Sequence, residues 1–196
     1  MKIGILACIY DLPDLAAKCL DPWFKLKDEL NLIIGCCHGQ FKEYAEFSSK
    51  DDSATLNVLK NYTFDCFYQS VEPDLEHKIR DVVLQELLEK EVDYVVLLDG
   101  DEIWTEDQIR SLVQTVKKNP LYDWFSIEYK NLTFTENLYT LGFCPPRVFK
   151  KTSLSNKKMH GFYWDNDVYY EDAQAGTLTS YKLLSEKQIK NILPLH

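Results

Sequence analysis

Residues 93 to 109 read DYVVLLDGDEIWTEDQI, an apolar run that drives into three carboxylates, Asp99, Asp101 and Glu102. Residues i and i+2 of an extended chain share a face, so Asp99 and Asp101 are expected to present both carboxylates to one point. Gly100, which has no Cβ, is expected to let a ligand approach the backbone between them. Two converging carboxylates suit a hard divalent cation, Mg2+ or Mn2+, ligated by oxygen. Such an ion holds a diphosphate and stabilises the charge that grows on a departing phosphate group. It also makes the repulsion between the aspartates tolerable. The plainer alternative is a solvated acidic turn, with Glu102 and Glu106 favoured near the positive end of the helix that follows.

Other chemistry-bearing residues gather elsewhere. Tyr10 and Asp11 follow the first apolar run, KIGILACIY. The stretch HGFYWDNDVYYEDAQ holds His160, Asp165, Asp167, Glu171 and Asp172 among tyrosines and a tryptophan. Aromatic faces stack on sugar rings, and carboxylates grip hydroxyls or remove a proton. The alternative for that stretch is a half-buried edge strand and loop. No Ser/His/Asp elbow, P-loop or GxGxxG supports a hydrolase, kinase or dehydrogenase.

Something must position these groups. KIGILAC, NLIIGCC, TFDCFYQS and YVVLL have the compact apolar character of buried strands. Between them lie helix signals: DLPDLAAKCLDPWFKLKDEL, broken by Pro22; ATLNVLKNY; and PDLEHKIRDVVLQELLEKE. Asp74 is expected to cap the last of these, with Leu75, Ile79, Val82, Val83 and Leu87 along one side. Thr105 and Gln108 form a capping box before a stripe of Ile109, Leu112, Val113 and Val116. WFSIEYKNLTF and PPRVFKK read as strands. Alternating strands and helices predict one α/β domain over residues 1 to 196, a three-layer, mostly parallel sheet with helices on both faces. Ligands bind such sheets beyond the carboxyl ends of the strands, where Tyr10-Asp11 and Asp99-Gly100-Asp101 fall.

The 22 basic residues against 31 acidic ones leave a net charge of −9, which argues against nucleic acid and anionic membrane surfaces as partners. No stretch approaches the roughly 18 apolar residues of a transmembrane span. Six cysteines sit mostly inside apolar runs and no secretory leader is expected, so the expectation is reduced thiols in a cytoplasmic protein.

VVLLDGDEIWTEDQI resembles the DxD segment of GT-A nucleotide-sugar glycosyltransferases, in particular the family 2-like ones. Further pieces follow in the family's order. ILACIYDLPDLAAKCLDPW is similar to their first strand and helix, and KDDSATLNVLKNY to their Asp-Asp-x-Ser helix segment. HKIRDVV stands where they carry an Arg-Asn pair, here Arg80-Asp81, and PPRVFKK with MHGFYWDND is similar to their Arg-x-Phe…His pattern. The loop before Asp51 is about a dozen residues longer than in the family. The resemblance implies a GT-A, Rossmann-like domain, with a nucleotide-binding half to about residue 104 and an acceptor half after it. It implies a metal-dependent, inverting transfer of a sugar from a UDP- or GDP-sugar to a hydroxyl of an acceptor glycan or other molecule. Asp99 would contact the ribose or metal, Asp101 would be the principal ligand to Mn2+ or Mg2+, and His160 a third ligand. Arg80 would approach the diphosphate or brace the loop, Tyr10 and Asp11 would flank the base, and Asp51 or Asp52 would read it. Glu171, Asp172 or Asp167 would be the general base, with Asp165 competing for that role. Two alternatives stay open: a non-catalytic carbohydrate-binding domain with a transferase-like fold, and a nucleotidyltransferase.

Overall fold

The structure, a computed structural model, describes residues 1–42, 45, 46, 48–127, 131–133, 135–140, 146–154 and 181–183. The elements run β1 (Ile3–Cys8), α1 (Pro13–Lys25), α2 (Lys27–Leu30), β2 (Leu32–His38), α3 (Ser53–Leu59), β3 (Cys66–Gln69), α4 (Glu76–Glu89), β4 (Tyr94–Asp99) and α5 (Glu106–Lys118). They continue with β5 (Trp124–Ser126), β6 (Asn131–Thr133), β7 (Thr135–Thr140), β8 (Pro146–Lys150), α6 (Lys151–Leu154) and β9 (Tyr181–Leu183).

Among the described residues, seven strands form one sheet in the order β3-β2-β1-β4-β8-β5-β9, and β6 pairs with β7 as a separate hairpin. β3, β2, β1 and β4 are parallel, which requires helical crossovers between them. β8 is antiparallel to both β4 and β5, and β5 is parallel to β9. The sheet is therefore mostly parallel, as expected, with one reversed strand drawn from PPRVFKK.

Strand alternation sorts the core into two layers. On one face, Ile3, Ile5, Ala7, Tyr94, Val96 and Leu98 pack against α1 and α5 through Ala16, Leu20, Trp23, Ile109, Leu112 and Val116. On the other, Leu6, Cys8, Val95 and Leu97 meet Ile79, Val83, Leu84 and Leu87 of α4. This parity aims the next residue of β4 on the second face, Asp99, towards α4.

Several local expectations change. α1 passes through Pro22 rather than stopping there. The N–H that proline lacks would have bonded the carbonyl of Lys18, an exposed residue, so the loss falls on the solvent side while Leu20 and Trp23 stay buried. α4 starts at Glu76, with Leu75 at its N-cap and no side-chain cap; the Asp74 carboxylate instead accepts the Leu75 N–H at 2.8 Å. Its inward face carries Glu76, Arg80, Leu84 and Leu88 beside the expected Ile79, Val83 and Leu87, whereas Val82 lies outward. WFSIEYKNLTF divides between β5 and β6 instead of forming one strand. The capping box at Thr105 and Gln108 is present, and all four residues of the α5 stripe are buried. Cys8, Cys19, Cys36, Cys37 and Cys66 are free, buried thiols, and burial pushes the Cys8, Cys19 and Cys36 thiols well up. Among the described residues no helix is long and apolar enough to cross a membrane.

Candidate functional site

The chain leaves β1 towards β2 on one side and later returns at β4 on the other, so the switch point of the sheet lies between the carboxyl ends of β1 and β4. Cys8 pairs in register with Asp99 across that point. Two polar clusters flank it.

The first surrounds Asp99. The chain does not stay extended beyond it: the Glu102 N–H bonds the Asp99 carbonyl at 3.0 Å, closing a turn, so the i, i+2 alternation expected for Asp99 and Asp101 ends here. Arg80 on α4 donates from Nη2 to Asp99 Oδ1 at 2.6 Å, and Arg147 on β8 donates from Nη2 to Oδ2 at 2.6 Å. Each arginine has a second carboxylate. Arg80 donates from Nε to Glu76 Oε1 at 2.8 Å, and Arg147 Nη2 lies 2.9 Å from Glu102 Oε1. Glu76, Arg80, Glu102 and Arg147 are all buried, Glu102 completely. Charges so far from water persist only when paired, and removing one partner from such a set costs roughly 3–5 kcal/mol. Glu102 is thus neither a solvated turn residue nor a helix-terminus charge; the alternative reading of an exposed acidic turn fails at that residue. Arg80, also buried, braces Asp99. Trp104, buried and packed edge-on against Trp23 with ring centroids 5.5 Å apart, donates from Nε1 to Glu102 Oε2 at 3.4 Å and anchors the far end of the turn.

Gly100 is required by the chain itself. A Cβ there would stand 2.8 Å from Leu12 Cδ1, 3.3 Å from the Cys8 carbonyl oxygen and 3.3 Å from Ile9 Cα. The turn after β4 therefore presses on the end of β1, which joins the first cluster to the second.

The second cluster holds the loop after β1. Asp11 sits at φ 54°, the left-handed region. Its N–H donates to Asp52 Oδ2 at 2.6 Å, its own carboxylate accepts the Ser49 N–H at 2.8 Å, and the Leu12 N–H donates to Thr55 Oγ1 at 3.0 Å. Asp52 Oδ2 also meets His38 Nε2, at the end of β2, at 2.9 Å. The Tyr10 ring lies 5.2 Å from the His38 ring and 6.3 Å from Phe41, and its hydroxyl donates to the Ser49 carbonyl at 2.5 Å. Burial lowers the His38 pKa, with the Asp52 hydrogen bond partly offsetting it, so the imidazole is neutral and Nε2–H is the donor. Burial, then the charges of Asp52, Asp11 and Asp51, raise the Tyr10 pKa and keep its hydroxyl protonated.

Tyr10, Asp11, Asp52, Arg80, Asp99, Gly100 and Asp101 are thus brought to one end of the sheet. Asp52 points inward to His38 and the Asp11 backbone. His160, Asp165, Asp167, Glu171 and Asp172 lie outside the described residues. Sequence reasoning passed over His38 and gave Glu76 and Arg147 no part in the site. Arg147 carried a signal, the Arg-x-Phe resemblance, and Glu76 carried one in its i, i+4 spacing to Arg80; His38 carried none beyond its place at a strand end.

Among the described residues no three or more His, Cys, Asp or Glu side chains converge as a ready metal cage. Mg2+ and Mn2+ do not need one, since they are held by one or two carboxylates together with substrate phosphates and water. Asp101, partly exposed on the turn, fits that requirement.

No protein-family model and no curated protein sequence matches the chain. Solved structures do match in fold. Staphylococcus aureus TarS (residues 1–349) in complex with UDP-GlcNAc superposes with TM-score 0.61 at 13% identity, over 95% of this chain and 56% of that one. Glucosyl-3-phosphoglycerate synthase from Mycobacterium tuberculosis, with Mn2+, UDP-glucose and phosphoglyceric acid, gives 0.57 at 11% identity over 93% and 68%. A mannosyltransferase from Pyrobaculum calidifontis with GDP-Man and Mn2+ gives 0.54 at 13% identity over 100% and 56%. The chain spans 35% of the TarS structure without that residue limit, and 56–58% of the shorter ones. With its sheet order, its crossovers and these likenesses together, the chain has the GT-A fold that these nucleotide-sugar transferases share.

Proposed function

We propose that this chain is a metal-dependent glycosyltransferase that moves a sugar from a nucleotide-diphospho-sugar to a hydroxyl of an acceptor glycan or other molecule. The observation that carries the reading is the pairing of an Asp-Gly-Asp turn with an aromatic and acidic cluster at the switch point of a GT-A sheet. The structures that share the fold were solved with UDP-GlcNAc, UDP-glucose and GDP-Man, which supports a UDP- or GDP-sugar as donor. Two of them hold Mn2+, which supports a divalent ion here.

In this reading Tyr10 and Asp11 flank the base, beside Asp52 and His38. Asp101 is the principal carboxylate ligand of a Mn2+ or Mg2+ ion beside the diphosphate, with Asp99 next to it at the ribose end. Such an ion, when bound, neutralises the diphosphate and stabilises its departure. Residues after about 104 form the acceptor half of the same domain. There a carboxylate among Asp167, Glu171 and Asp172 takes the proton of the attacking hydroxyl, with inversion at the anomeric carbon, and His160 is a candidate additional ligand. The free thiols suit a reducing compartment such as the cytoplasm.

Calorimetry with UDP and GDP, with and without Mn2+, tests the reading. One nucleotide is expected to bind in a Mn2+-dependent manner, and Asp101→Ala to abolish that dependence. Unchanged Mn2+-dependent binding in the variant refutes the metal role. Glycan binding without metal or nucleotide would replace the transferase with a carbohydrate-binding module.

A further inference from the structure

The end of the sheet opposite the candidate site holds a cleft of about 530 Å3, within the roughly 300–1,000 Å3 of small-molecule sites. It opens at the start of β4, whose six residues, about 20 Å of strand, separate it from the turn after Asp99. Because β8 runs antiparallel beside β4, its last residue, Lys150, lies opposite the first of β4, Tyr94. The Lys150 N–H bonds the Asp123 carbonyl at 2.7 Å, and the Lys151 N–H bonds the Asp93 carbonyl at 2.9 Å, so the backbone of both lysines is fixed at the rim. Their ammonium groups are held as well. Lys150 Nζ donates to the Pro120 carbonyl at 2.9 Å and Lys151 Nζ to the Leu88 carbonyl at 2.7 Å. An ammonium has three hydrogens, so each keeps donors for a further acceptor. Lys117, near the end of α5, lines the same cleft.

The charge of the cleft runs against that of the chain, which is −9. Three lysines face one carboxylate, Asp93, and its Oδ2 already accepts the Lys2 N–H at 2.7 Å. Among the described residues the lysines in ion pairs are Lys25, Lys27, Lys42 and Lys78, none of which lines the cleft. Helix dipoles do not account for the cluster: a cation is favoured at the end of α5, where Lys117 sits, but not at the start of α6, where Lys151 sits. A concave surface of one sign focuses its field on an anion. Among the described residues no arginine lines it, so a planar carboxylate would find no matching fork, whereas ammonium point charges suit the tetrahedral phosphate dianion. Val92 and Pro120 add an apolar wall.

We propose that this cleft binds a small phosphate monoester, with Lys117, Lys150 and Lys151 around the phosphate group and the carbon body against Val92 and Pro120. The site is separate from the candidate site and stands whether or not the chain is a glycosyltransferase.

Calorimetry of the full chain at low ionic strength, where charges are little screened, tests it with glycerol 3-phosphate and inorganic phosphate as probes and sodium chloride as control. The ester is expected to bind more tightly than inorganic phosphate, and chloride not at all. Lys117→Met and Lys150→Met are each expected to weaken the ester about fivefold, the effect of one unit charge about 4 Å away in water. Lys18→Met, which removes the same charge from the exposed side of α1, is expected to change it less than twofold. Circular dichroism melts check folding. If Lys150→Met does not fold, Lys117→Met decides, since that side chain is exposed. No binding by the parent, undiminished binding in the cleft variants, or an equal loss in Lys18→Met overturns the site. Equal affinity for the two probes overturns the ester and makes inorganic phosphate the ligand.

Discussion

Asp52→Ala separates two roles for the residue after the long loop. If Asp52 reads the base, its loss weakens nucleotide binding and leaves the fold alone. The structure gives it a different load. Its Oδ2 accepts the Asp11 N–H at 2.6 Å and the His38 Nε2–H at 2.9 Å, and its side chain is 3% exposed. Removing the carboxylate leaves one buried and one partly buried donor without their charged acceptor, each worth about 1–3 kcal/mol. It also releases Asp11 from a backbone conformation that a non-glycine residue holds only when its surroundings enforce it. Water reaching the vacated space returns part of this, so a loss of about 3 kcal/mol is expected. In a chain of this size that lowers Tm by roughly 6–12 °C, at 2–4 °C per kcal/mol. Urea denaturation followed by circular dichroism measures it. Asp52→Asn, which keeps an acceptor of the same size, is expected to recover about half of the stability. A change in stability below about 0.5 kcal/mol for the alanine variant, with nucleotide binding abolished, would refute the anchoring role and restore direct base reading.

Three further outcomes follow from named contacts. Burial depresses the His38 pKa below its usual value near 6.5, so the folded state binds fewer protons than the unfolded one; stability is full above that value and is lost as pH falls below it. His38→Gln keeps a donor for Asp52 but does not titrate, so its urea stability is expected to fall less than the parent's between about pH 7.5 and 5.5; equal losses would mean that His38 does not set the slope. Gly35→Ala places a Cβ 2.6 Å from both Cys66 Sγ and Val83 Cγ1, between β3 and α4, and is expected to destabilise by about 2–3 kcal/mol in a thermal melt without altering Mn2+-dependent nucleotide affinity. Thr105→Ala removes the capping box of α5 and is expected to cost about 1 kcal/mol by urea denaturation, a value that Thr105→Ser should largely restore.

Local chemistry made much of this protein legible from its residues in order. Apolar runs alternating with helical stripes required a mostly parallel sheet with helices on both faces, because each strand had to be covered twice. The box at Thr105 and Gln108 and the stripe from Ile109 to Val116 are complete within one segment, so neighbours in sequence suffice to place them. An aspartate pair at a strand end is visible for the same reason. What the residues alone could not settle is which charge meets which. Asp99 finds Arg80 19 positions away and Arg147 48 positions away, and the second pairing exists only because β8 enters the sheet reversed beside β4. The same holds for Asp52, which seemed free to meet a ligand until the end of β2 brought His38 to it. The contact of Gly100 with the end of β1 is likewise visible only in the packed structure. Periodicity is a property of the chain, whereas the partner of a buried charge is a property of packing: it is chosen by the strand that happens to lie alongside, and no spacing within the segment encodes it.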